Sequence, residues 1–173
     1  MNYGSIVRAD IANGEGFRVS LFVSGCLRKC KGCFNQQAQN PCFGQLFDEE
    51  AKRKIFAELE QEWCKGLSVL GGEPMSILSD NRTQVIALCK EVKERFPGKD
   101  IWMWSGYTEE ELRSDPATKD IFKYIDVLVD GPFVEEKKDL SIPFRGSSNQ
   151  RVIRINHKEE AASETKNKLE RAA

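Results

Sequence analysis

Three cysteines carry the first chemical signal in this chain. Cys26, Cys30 and Cys33 stand in the run Cys26-Leu27-Arg28-Lys29-Cys30-Lys31-Gly32-Cys33, directly after the apolar stretch Leu21-Phe22-Val23. Spacings this short fold three sulfurs around one point. Four donors saturate a tetrahedral metal or a cubane cluster, whereas three from one compact loop leave a coordination position to be filled from elsewhere. By spacing alone the loop fits a structural zinc site completed by Cys42, a closed electron-transfer cluster, or a cluster with one open iron.

Other stretches have residue types suited to ligand binding, each with a plainer structural reading. Gly71-Gly72-Glu73-Pro74 brings two glycines that let backbone carbonyls approach a ligand and accept hydrogen bonds from an ammonium group, with Glu73 placed to orient it. The alternative is a simple turn with a capping carboxylate. Ser105-Gly106-Tyr107-Thr108 reads as a ligand loop or as the N-cap of the next helix, and Asp130 as a ligand contact or a turn former before Gly131-Pro132. Trp102 and Trp104 share one side of a strand and read as core. Cys64 and Cys89 fall in or beside helical segments, where a small hydrophobe suffices. His157, the only histidine, reads as a surface residue, which argues against histidine-based nucleophilic catalysis.

These loops need elements to position them. Strands are expected over 5–11 and 18–23, joined by an Asn-Gly turn at 11–16. A helix capped by Asp48 follows, with Ala51, Ile55, Phe56, Leu59 and Trp63 at helical spacing. After a strand at 67–70 comes a second helix striped by Val85, Leu88, Cys89, Val92 and Phe96 and stopped by Pro97-Gly98. Strands at 101–104, 125–129 and 152–155, with short helical pieces at 108–113 and 116–123, complete an α/β alternation. The expectation is a mostly parallel sheet with outer helices. The cysteine, Gly-Gly-Glu, Ser-Gly-Tyr-Thr and Asp-Gly-Pro loops each follow a strand, and carboxyl ends of parallel strands share one rim, so all four are expected around one pocket.

Composition sets the frame for that pocket. At 173 residues and 40% hydrophobic content the chain fits one domain, expected over 1–156, and a charged tail over 157–173. That tail holds four acidic and four basic residues and only Leu169 as a large apolar one. A net charge of -1, from 26 basic and 27 acidic residues, recruits neither nucleic acid nor an anionic membrane. The first residues lack an export pattern, and no apolar stretch approaches the length that spans a bilayer, so a cytoplasmic location is expected. There six cysteines suit metal or redox use better than disulfides.

The cysteine loop followed by Gly-Gly-Glu-Pro resembles the radical S-adenosylmethionine (SAM) enzymes. Within them, Asn13-Gly14 with Gly16, Ser24-Gly25-Cys26, Trp104-Ser105-Gly106-Tyr107-Thr108, Asp126-Val127-Leu128-Val129-Asp130-Gly131 and Arg145-Gly146-Ser147-Ser148-Asn149-Gln150 resemble the branch that activates anaerobic ribonucleotide reductase. The likeness covers about residues 1–155, and Glu15 between Gly14 and Gly16 departs from it. The resemblance implies an incomplete (β/α)6-type partial barrel and a [4Fe-4S] cluster on Cys26, Cys30 and Cys33, with SAM on its open iron. It further implies contacts to SAM from Gly32, Cys33 and Phe34, the last near the adenine. Gly71, Gly72 and Glu73 would take the methionine end, with Ser105 and Asp130 also in contact. Reductive cleavage of SAM would give methionine and a 5'-deoxyadenosyl radical, which abstracts hydrogen from a glycine of the reductase large subunit. The electron donor would be a protein such as flavodoxin. Another glycyl radical enzyme, such as pyruvate formate-lyase, is the alternative target. Arg145 to Arg151 would border the opening that admits the glycine loop.

Overall fold

The computed structural model describes residues 1–157. A seven-stranded sheet runs through it in the spatial order β3-β1-β2-β4-β5-β6-β7. Its members are β1 (Asn2–Asp10), β2 (Phe17–Val23), β3 (Gln45–Leu46), β4 (Cys64–Gly71), β5 (Asp100–Trp104), β6 (Val127–Asp130) and β7 (Arg151–Arg154). Helices α1 (Glu49–Leu59), α2 (Asn81–Arg95) and α3 (Glu109–Ser114) lie in the connections between the central strands. The tail expected over 157–173 lies outside the described residues, apart from His157.

The sheet is mixed, which corrects the expectation of a mostly parallel one. β2, β4, β5 and β6 are parallel neighbours, while β1, β3 and β7 pair antiparallel at the margins. The tight turn at 11–16 folds β1 back on β2, and the segment between β6 and β7 holds one short 3-10 turn (Glu135–Lys137) and no α-helix to carry the chain across the sheet. β3 escaped the sequence reading because two residues show no periodicity.

Alternation sorts the two faces of the central strands. Val19, Leu21 and Val23 of β2, Leu67 and Val69 of β4, Ile101 and Met103 of β5 and Leu128 of β6 are fully buried in one cluster with the helices. Helix α1 starts where the Asp48 side chain accepts from the Ala51 amide at 2.9 Å, a cap contributing about 1 kcal/mol. It presents Ala51, Ile55, Phe56 and Leu59 inward, whereas Trp63 lies beyond its end and is exposed. Helix α2 buries Val85, Leu88, Cys89 and Val92. Helix α3 closes a reciprocal cap between Thr108 and Glu111.

The opposite face has two registers with different chemistry. Ser20, Ser68, Trp102 and Val127 form one row of register partners, and Phe22 pairs with Leu70 in the next row towards the carboxyl ends. Beneath the first row lies Arg18, with no exposed surface. Its Nε donates to Ser68 Oγ (2.7 Å), one terminal nitrogen donates to Leu67 O (2.8 Å), and the other lies 2.5 Å from Asp100 Oδ1. Ser68 Oγ donates in turn to Asn13 O at 2.5 Å, which draws the turn at 11–16 across this face. Glu15 then reaches Arg154 of β7 at 2.6 Å, so the residue that departs from the resembled pattern has an ion pair of its own.

Arg18 is a buried cation held by partners on two neighbouring strands. Replacing it with alanine leaves Ser68, the Leu67 carbonyl and Asp100 facing a cavity, and breaking such a pair costs about 3 kcal/mol or more. Urea unfolding of Arg18→Ala should show a loss of that order, with Arg18→Met less affected because its chain fills the volume.

Candidate metal and cofactor site

The carboxyl ends of β2, β4, β5 and β6 lie side by side, and the loops leaving them surround one cavity of about 500 Å³. That volume suits a small-molecule ligand. Cys26, Cys30 and Cys33 line one wall, Gly71, Gly72 and Glu73 the next, and Ser105 and Gly106 the third. The floor is apolar, made by Phe22, Leu70 and Trp104. A strap following β6 supplies Phe133, Leu140, Ile142, Phe144 and Arg145.

The walls are fastened to one another in sequence. Gly71 has a φ of +110°, and a Cβ there would fall 2.7 Å from the Val23 carbonyl; one on Gly72 would fall 2.9 Å from the Gly25 carbonyl. No side chain fits at either position. The glycine pair therefore serves contact between two protein loops as well as access for a ligand: Gly72 N donates to Val23 O at 2.7 Å and Glu73 N to Gly25 O at 3.0 Å. Glu73, 1% exposed, accepts from Met75 N (3.0 Å) and Ser105 Oγ (2.8 Å) on Oε1 and from Gly106 N (2.7 Å) on Oε2. Burial pushes this carboxyl above its ordinary range while those donors hold it back. Arg28, from the cysteine loop, stacks over the Tyr107 ring at 4.6 Å and crosses Gly106 closely enough that a Cβ there would lie 2.3 Å from its Cδ.

Comparison with known proteins bears on this geometry directly. A family model described as a 4Fe-4S single cluster domain matches residues 12–153. The protein named anaerobic ribonucleoside-triphosphate reductase-activating protein in Vibrio cholerae is 44% identical over 157 residues, covering 90% of this chain and 99% of that one. Its namesake in Pasteurella multocida is 42% identical over 90% of this chain and 98% of its own. The phage T4 protein of that name is 40% identical over 88% and 93%. The chain belongs to the anaerobic ribonucleoside-triphosphate reductase-activating protein family.

The stretch matched by the cluster-domain model contains every loop that lines the cavity. As a donor set the residues fit a cluster: three free thiols, half-buried, from one loop. Among the described residues no three Cys, His, Asp or Glu side chains gather around one metal-sized point; the thiols share a wall instead. Cys42 is exposed and does not line the cavity, so the fourth-ligand alternative gains no support from its position. Burial raises the Cys26 thiol above its ordinary value, Glu73 adds to the effect, and the amides of Arg28 and Lys29 oppose it.

The expected SAM contacts divide into two groups. Cys33, Phe34, Gly71, Gly72, Glu73 and Ser105 line the cavity, and Phe34 packs edge-on against Phe133 with ring centroids 4.9 Å apart. Gly32 and Asp130 lie outside its lining. A side chain at Gly32 would run into Glu135, whose carboxylate pairs with Lys31 at 3.0 Å. Asp130 is 1% exposed, and its oxygens are taken by the Arg151 guanidinium and by the Glu109 amide at 2.7 Å. Arg151 also pairs with Glu110, leaving Arg145 as the arginine of its segment that faces the cavity. Its Nε is buried without a hydrogen-bond partner among the described residues.

Sequence reasoning missed Arg28 and the strap and gave Trp104 only a core role. Trp104 stacks on Trp102 at 5.8 Å, donates from Nε1 to Phe144 O at 2.8 Å and forms part of the floor. Its position directly before Ser105-Gly106 was the available signal. The strap has none, because its apolar residues follow neither the helix nor the strand period.

Thiol exposure gives a direct test of the ligand set. Burial pushes Cys89 up to about 12 and raises Cys64 as well. Alkylation of the metal-free protein at mildly alkaline pH should modify Cys42 first, then Cys26, Cys30 and Cys33, and spare Cys64 and Cys89. Loading iron and sulfide should protect only the middle three, as read by peptide mass mapping.

Proposed function

We propose that this protein is a radical SAM activating enzyme that forms a glycyl radical on the large subunit of anaerobic ribonucleotide reductase. Its [4Fe-4S] cluster would be held by Cys26, Cys30 and Cys33. The observation that carries the reading is a three-thiol wall sharing one cavity with the Gly-Gly-Glu loop. The relatives' names supply the target, anaerobic ribonucleoside-triphosphate reductase. When bound, the cluster supplies the one-electron reduction that cleaves SAM and yields a hydrogen-abstracting radical, the electron coming from a donor of the flavodoxin type.

The protein's own residues bind, orient and exclude. Cys26, Cys30 and Cys33 would hold the cluster as thiolates, the raised Cys26 thiol releasing its proton to solvent as the sulfur is taken up. The backbone of Gly71 and Gly72 offers acceptors to the ammonium end of SAM. Glu73 has used three of its roughly four acceptor positions on the surrounding loops, which leaves one for the ligand. Ser105 acts by holding Glu73, and Gly32 and Asp130 act at one remove. Phe34 and Phe133 make an apolar edge against which an adenine can lie, and Phe22, Leu70, Trp104 and Phe144 keep water from the floor.

The architecture suits a substrate that is part of another protein. Its helices pack against one face of the sheet, and the other face is crossed by the turn at 11–16 near the amino ends and by the strap near the carboxyl ends. We read this as an incomplete (β/α)6-type barrel, open where a closed barrel would have further strands. The glycine-bearing segment would enter at the rim, beside Arg145.

Anaerobic reconstitution should give about four irons and four sulfides per chain. Adding SAM should change the electron paramagnetic resonance spectrum of the reduced cluster, and a strong reductant should release 5'-deoxyadenosine. Cys42→Ser should retain all of this, while serine at Cys26, Cys30 or Cys33 should lose the SAM response. A protein that retains only zinc would overturn the reading.

A further inference from the structure

The thiol loop and the Gly-Gly-Glu loop leave adjacent strands, and a ligand shared between them tolerates misplacement of only about 0.5 Å. The side chain at their seam belongs to neither motif. Asn81, the first residue of α2, is fully buried. Its Nδ2 donates to the carbonyl of Ser24 at 2.8 Å and to that of Glu73 at 3.2 Å. Ser24 lies two residues before the first cysteine, and the Glu73 carbonyl closes the glycine loop. The two protons of one amide thus span the gap.

Two further observations single this residue out. Asn81 Oδ1 is buried and accepts no hydrogen bond among the described residues, so its donors are the part of the amide in use. The chain also reaches Asn81 through two successive left-handed residues, Ser79 (φ 52°) and Asp80 (φ 58°), neither of them glycine. Asp80 stands at the N-cap of α2 and yet its side chain caps nothing. A helix start optimised for itself would use that carboxylate. Here the unfavourable backbone delivers an amide to the seam instead.

We propose that Asn81 is a positioning residue that sets the spacing between the thiol loop and the Gly-Gly-Glu loop, and with it the fit of SAM to the cluster. The proposal rests on the function argued above. Its test uses the reconstituted protein with Asn81→Ala, Asn81→Ser and Asn81→Asp, titrated with SAM while the spectrum of the reduced cluster is followed.

Iron and sulfide content should match the parent in all three, because the cysteines are untouched. SAM affinity should fall about tenfold in Asn81→Ala, less in Asn81→Ser, which keeps a donor, and most in Asn81→Asp, which sets an acceptor against two carbonyls. A residue that only packs would give the reverse order, since aspartate matches asparagine in volume and suits a helix N-terminus. In the cluster-free protein, hydrogen exchange at the Gly72 and Glu73 amides should quicken in the alanine and aspartate variants. Parent-like SAM affinity in Asn81→Asp overturns the proposal. So does failure of both Asn81→Ala and Asn81→Ser to fold, which would make the residue a requirement of α2 alone. A parent whose spectrum ignores SAM overturns the proposed function instead, and the exchange measurement still decides whether Asn81 holds the loops.

Discussion

Glu73 brings a formal negative charge into a fully buried position, which costs several kcal/mol unless donors surround it. The donors come from its own loop and from the loop after β5, so those two segments cannot part without stranding the charge. On its other side the same loop is pressed against the root of the thiol loop, where two glycines remove every side-chain atom that would keep the backbones apart. Three loops from three parallel strands are thereby locked in series, with one carboxylate at the centre. The motif's glutamate is first a structural clamp, and any contact it makes with a ligand uses what acceptor capacity remains.

A second buried charge balances the design at the opposite end of the sheet. Arg18 fills the base of the face that carries the cavity, and the hydrogen-bond chain through Ser68 to Asn13 pulls the turn at 11–16 beneath the floor. Above that polar row the lining changes to Phe22, Leu70 and Trp104. The cavity thus has an apolar floor above a buried, hydrogen-bonded base, and that polar base lies one register row below the place where chemistry would occur. Ion pairs that close the periphery, such as Arg154 with Glu15, are largely exposed and contribute little individually.

Much of this was legible in the chain because local rules and global fold agree there. Asp48 caps α1, the stripe at Val85, Leu88, Cys89 and Val92 is buried, and the four loops at carboxyl ends converge as parallel neighbours must. What stayed hidden depends on partners far away in sequence. Asp130 looks the same in the sequence whether it faces a ligand or an arginine 21 residues later. Asn81 sits eight residues beyond Glu73 in a stretch without pattern, and its importance comes from a carbonyl 57 residues away. The antiparallel pairing of β1 with β2 follows from a tight turn that was visible, whereas β3 and β7 are reached through longer segments without a periodic pattern. The strap closes the cavity with side chains whose order obeys no period.

Strand β7 runs antiparallel to β6, from Arg151 beside Asp130 at the rim to Arg154 opposite Val127 near the base. The described chain therefore ends at the pole farthest from the mouth, where His157 lies 3.1 Å from Asp126. A fluorescent label attached at His157 would therefore stand at the amino ends of the parallel strands, away from the cavity mouth.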